Sequence, residues 1–102
     1  MATTTSKVLF RGAATTTVGT TLYTVPSATT TVVTEIIVTN TAGSSGTFTL
    51  ALAGTNLATT VTVGANDSTV IPLKQTLVAT NTITGGASAT TINFHISGVE
   101  IA

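Results

Sequence analysis

The last eight residues, HISGVEIA, hold the chain's single histidine, His95, and a carboxylate five positions on, Glu100. An imidazole and a carboxylate can share a metal ion or pass a proton between them. With no cysteine and only two further carboxylates, Glu35 and Asp67, no recognised ligand spacing forms around His95. The stretch GANDST supplies one Asp and one Asn, too few oxygens for a calcium loop. Hydroxyls abound, but no base is placed to activate one. The glycine-bearing stretches GAATTTVG and TGGASA lack the lysine and the following helix of a phosphate cradle. The residues therefore point to no enzyme, no cofactor and no metal, with His95 and Glu100 as outward polar residues of a closing strand.

The elements that must position these side chains are strands. No segment places apolar residues at i, i+3, i+4 and i+7, whereas alternation with a period of two recurs. In TFTLALA, Phe48, Leu50 and Leu52 share one face; in TINFHIS, Ile92, Phe94 and Ile96 do. Turn clusters at Thr41–Gly46, Gly64–Asp67 and Thr84–Ser88 separate the runs. Strands are predicted near 7–11, 21–25, 31–40, 47–53, 59–63, 69–73, 77–80, 91–97 and 99–101. So many short strands in one chain predict an all-β fold, a single antiparallel β-sandwich of jelly-roll or Ig-like type with about eight strands.

Within this frame some residues conflict with simple alternation. Ile96 and Val99 are an odd number of positions apart, so a bulge at Gly98 is expected to return Val99 and Ile101 to the core and turn Glu100 outward. Pro26 is expected to end a strand, and Pro72 to mark an edge strand or bulge. VVTEIIV is apolar on both faces, as a central strand covered on two sides would be, one cover being a subunit contact. Glu35 lies inside that run, where an isolated carboxylate is costly. Its expected partner is Arg11 or Lys7, of the same chain or a neighbour; the alternative is plain exposure.

Composition narrows the setting. The chain has 102 residues and a mass of 10.1 kDa, enough for one domain. Only six residues are formally charged, against about a quarter in ordinary domains, and they sum to zero. Threonine supplies 28 residues and must cover much of the surface. A neutral, hydroxyl-rich surface repels its own copies weakly and suits a protein packed against itself or a larger scaffold. Three scattered basic residues make no phosphate-tracking patch, so nucleic acid is not an expected partner. No apolar run reaches the length of a signal-peptide core or a membrane span. Residues 1–6, MATTTS, are expected to form a flexible arm, and residues 7–102 the sandwich. KVLFR, an apolar strand between two positive charges, suits addition to a neighbour's sheet. Lys7, Val8, Leu9, Phe10 and Arg11, with Glu35, are accordingly the candidate assembly contacts.

Two blocks of the chain carry a family resemblance. TTLYTVPSATTTVVTEIIVTNTAGSSGTFTLAL, Thr20 to Leu52, resembles the arrangement of small β-sandwich modules in structural proteins of tailed bacteriophages. The ending INFHISGVEIA is similar to the way such modules close. The resemblance implies a virion protein, assembled in the host cytoplasm. A capsid decoration, or cement, protein is the first reading: a homo-oligomer, a trimer by analogy, bound to the major capsid protein or another virion component and stabilising the head from outside. The second is a tail fibre, baseplate or tail-decoration module acting in host attachment.

Overall fold

A computed structural model describes residues 3–102. Eight antiparallel strands fill most of the chain: β1 (Thr4–Ala13), β2 (Thr21–Thr24), β3 (Thr30–Asn40), β4 (Gly46–Leu52), β5 (Thr55–Val63), β6 (Ser68–Leu77), β7 (Thr82–Ala87) and β8 (Ile92–Ile101). They form two four-stranded sheets with orders β1-β8-β3-β6 and β2-β7-β4-β5. All-β architecture is as expected. Strand order decides between the two sandwich types, because an Ig-like sheet pair splits its strands differently. Here every connection but one passes to the other sheet, giving the eight-stranded jelly roll. The exception is the β4–β5 hairpin, whose two loop residues, Ala53 and Gly54, have φ of 51° and 79°. Left-handed backbone at both positions is what a two-residue hairpin turn requires.

Alternating apolar residues of the two inner faces meet in one core. Phe48 of β4 and Phe94 of β8 stand edge to face at its centre, 6.1 Å between ring centroids and 73° between planes. Ile36, Val38, Leu50, Ile83, Ile92 and Ile96 surround them, all fully buried. Burial of such side chains contributes about 1.5–3 kcal/mol each relative to exposure.

Several expectations need correction. Leu77–Thr80 is no strand: β6 runs on to Leu77, and Val78–Asn81 forms a turn closed by the Asn81 N–H on the Val78 carbonyl at 3.0 Å. TGGAS is no turn, because Thr84–Ala87 lie within β7. Gly85 and Gly86 sit there for want of space. A Cβ on Gly85 would fall 2.5 Å from Leu50 Cδ2, and one on Gly86 2.4 Å from the Thr17 carbonyl oxygen. Nor does Gly98 bulge. β8 is continuous from Ile92 to Ile101, and the extra residues lie in the strands on either side. Between β1 and β8 the register slips from Val8↔Ser97 to Phe10↔Ile96, leaving Leu9 over. Between β3 and β8 it slips from Val33↔Gly98 to Glu35↔Ser97, leaving Thr34 over. An extra residue keeps two neighbouring side chains on one side of the sheet. Leu9 and Phe10 thus both face the core, and Thr34 and Glu35 are both exposed.

The start of β1 also lies earlier than expected. Thr4, Thr5 and Ser6 pair with Ile101, Glu100 and Val99, and the Thr3 and Ala102 backbones bond to each other. Of the expected arm, Met1 and Ala2 fall outside the described residues. The strand starts at Thr4 because β8 reaches Ile101 and offers backbone partners that Thr4, Thr5 and Ser6 can use without any apolar side chain. KVLFR, expected to extend a neighbour's sheet, completes the chain's own. Pro26 does follow the end of β2, and Pro72 does lie on an edge strand, opposite Glu35 at the register shift.

Candidate functional site

The unbroken course of β8 sets the direction of Glu100. Counting by twos from Phe94 through Ile96 and Gly98 places Glu100 on the inner face, where it is half-buried. Directly opposite lie Thr5 of β1 and Thr31 of β3, and one pair further along β1 is Lys7. The Lys7 Nζ donates to both Glu100 oxygens, at 3.2 and 3.3 Å. From the other sheet, Tyr23 of β2 donates its hydroxyl to Glu100 Oε2. The same hydroxyl lies 2.9 Å from Thr31 Oγ1, which is fully buried. Glu100 was expected to point outward, and the continuous strand reverses that.

Each group's titration follows from its neighbours. The Tyr23 hydroxyl bond holds the Glu100 carboxyl below its ordinary value; partial burial opposes this, and Lys7 adds to the lowering. Burial pushes the Tyr23 phenol up, and the adjoining carboxylate pushes it further. The carboxylate is thereby kept charged and the phenol neutral. A carboxylate so satisfied is a weak base, and the arrangement ties β1, β8, β3 and β2 together at one end of the sandwich. With Lys7 47% exposed, its ion pair contributes under about 1 kcal/mol. The buried hydroxyl bonds count for more.

The other singled-out residues divide between two faces. Arg11 is opposite His95, and Val8 and Glu35 flank Ser97, all on the outer face of the first sheet. Leu9 and Phe10 join the core. His95 and Glu100 therefore lie on opposite faces of one strand and cannot act together. Among the described residues the one ion pair is Lys7–Glu100, so Glu35 pairs with neither Lys7 nor Arg11 and is exposed. No group of three or more His, Cys, Asp or Glu that could hold a metal occurs among the described residues. No helix there is long and apolar enough to cross a membrane.

Asn40 escaped sequence reasoning. Buried at the end of β3, its Nδ2 donates to the carbonyls of Ser44, Val63 and Gly64 at 2.9–3.3 Å, and its Oδ1 accepts the Ala42 N–H at 3.0 Å. It joins the β3–β4 and β5–β6 turns at the end of β3. An Asn ending an apolar strand just before TAGSSG was the available signal.

With this geometry in hand, the chain can be set beside known proteins. No family model matches it, and no curated protein does. Among solved structures, a chain of the acid-stable capsid of Helicobacter pylori bacteriophage KHP30 superposes with a TM-score of 0.54 at 11% identity. The match covers 100% of this chain and 94% of that one. The two share a fold. A pentameric capsid protein from metagenomic phage sequences matches with a TM-score of 0.36 at 14% identity, over 97% of this chain and 59% of that one. A second structure of a pentameric capsid protein from such sequences gives 0.35 at 15%, over 97% and 60%.

Proposed function

We propose that the chain is a structural protein of a bacteriophage particle, and within it a capsid decoration protein that binds the outside of the head as an oligomer and stabilises it. One observation carries the reading: a full-length match of this small jelly roll to a chain of similar length in a phage capsid. The jelly roll also serves lectins and cupins, so the fold alone leaves other tasks open. Composition favours the particle: few charges and a hydroxyl-rich surface suit a part that ends packed against others. The resemblance in Thr20–Leu52 and in the closing strand points the same way, with the major capsid protein as the shell partner and a trimer as the arrangement by analogy. Its bonding gives the Lys7–Glu100–Tyr23 cluster a structural task rather than a catalytic one. The test is to add purified protein to particles of the encoding phage made without it, then reconstruct them. Density on the head lattice and a raised temperature of DNA release are expected. Density on the tail alone moves the chain to the host-attachment reading, and absence from both rejects a virion role.

A further inference from the structure

The two halves of β1 are held by different means. In the first half every residue from Thr4 to Val8 is exposed, so none of them adds a side chain to the core. What ties this half to β8 is the backbone ladder from Thr4↔Ile101 to Val8↔Ser97, the mutual bonds of Thr3 and Ala102, and the Lys7–Glu100 ion pair. The second half is anchored by side chains as well. Leu9 is buried, Phe10 packs against the core, and just beyond the strand the N–H of buried Ala14 bonds the Ile92 carbonyl at 2.7 Å. The halves meet at Leu9, the extra residue where the register with β8 slips.

We propose that residues 3–8 are a detachable strap, which leaves β8 by local opening while Leu9–Ala13 stay in place, and so uncovers the edge of β8 from Ser97 to Ile101. Opening strands no buried group. β1 is an edge strand, so no third strand loses a partner. Glu100 keeps the bond from the Tyr23 hydroxyl, Thr31 keeps its own bond to that hydroxyl, and water takes the place of Lys7 at the carboxylate. Opening of the second half would instead bring Leu9 and Phe10 into water, against the hydrophobic effect. Segments with few buried apolar contacts and solvent-exposed backbone bonds are those that open below the free energy of global unfolding. Once uncovered, β8 shows a row of unpaired N–H and C=O groups, a template for strand pairing that the closed strap withholds. The strap is a property of the isolated chain and does not rest on the virion reading.

The experiment is amide hydrogen exchange of the full chain, followed by NMR at several urea concentrations below the unfolding transition. Hydrogen-bonded amides of residues 4–8, and the β8 amides that bond to them, should exchange about tenfold or more faster than those of Phe10–Ala13. Their rates should also depend little on urea, because the opening exposes little surface. Lys7→Glu, which sets a carboxylate against Glu100, should speed the first group about tenfold again and leave the second unchanged. A chain lacking Ala2–Ser6 should still fold and melt cooperatively, as read by circular dichroism. One exchange rate and one urea slope across the whole of β1 would mean that it opens only with the domain and would overturn the proposal. So would a Lys7→Glu effect that reaches both halves equally, or unfolding of the chain lacking Ala2–Ser6.

Discussion

The hydroxyl of Tyr23, in one sheet, is bonded to the carboxylate of Glu100, in the other. This bond crosses the sandwich where the apolar core gives out, and the buried Thr31 hydroxyl and the Lys7 ammonium complete it. Glu100 thereby sits on an inner face without being left unpaired, the condition under which a carboxylate is tolerated there.

Tyr23→Phe should destabilise the chain by about 1–3 kcal/mol, since it removes a bond to a charged acceptor and leaves the Thr31 hydroxyl buried without a partner. Lys7→Ala, which breaks only the half-exposed ion pair, should cost under about 1 kcal/mol. Urea unfolding of the two variants side by side measures the difference. Equal costs would show that the ion pair matters as much as the hydroxyl bonds.

Stability should fall in acid and in strong alkali through this same cluster. The Glu100 carboxyl titrates lower in the folded chain than unfolded, so its contribution is present above the ordinary carboxylate value of about 4.3 and lost as pH falls through the folded value. The Tyr23 phenol titrates higher when folded, so its contribution is present below about 10 and lost as pH rises through the raised value. In Glu100→Gln the acid limb should flatten. Melting temperatures read every half pH unit for both proteins check this.

Gly98→Ala should destabilise strongly, by at least the ~1–3 kcal/mol typical of overpacking. The added Cβ would stand 2.3 Å from the Val32 carbonyl oxygen and 3.0 Å from Leu9 Cδ1, and backbone cannot swing aside as a side-chain end can. Gly43→Ala, where nothing lies within 4 Å, is the control and should be near neutral. Thermal unfolding of both variants distinguishes a crowded position from a general intolerance of change.

Removing Met1–Arg11 should unfold the domain rather than trim it. The deletion takes away buried Leu9, the half-buried Phe10 and most of the ladder that β1 makes with β8. Leu9→Ala alone should cost about 2–4 kcal/mol. A truncated chain with wild-type melting behaviour would mean that β1 contributes nothing to the fold.

Period-two alternation determined by itself that Phe48, Leu50, Leu52, Ile92, Phe94 and Ile96 face a core, because neighbouring side chains on a strand point to opposite sides whatever the strand pairs with. Scarce charge and abundant threonine likewise need no coordinates to describe the surface. The odd spacing of Ile96 and Val99 suggested a bulge at Gly98, but an outward apolar residue satisfies the same spacing: β8 alternates without a break, so Val99 faces outward beside Val32 and Glu100 faces inward. The extra residues lie in β1 and β3, at Leu9 and Thr34, which only the placement of β8 between those strands reveals. Gly85 and Gly86 show the same limit: two adjacent glycines signal a turn or a close approach equally well, and the approach of Leu50 and of the Thr17 backbone exists only once β4 and the Thr15–Thr20 loop have packed beside β7.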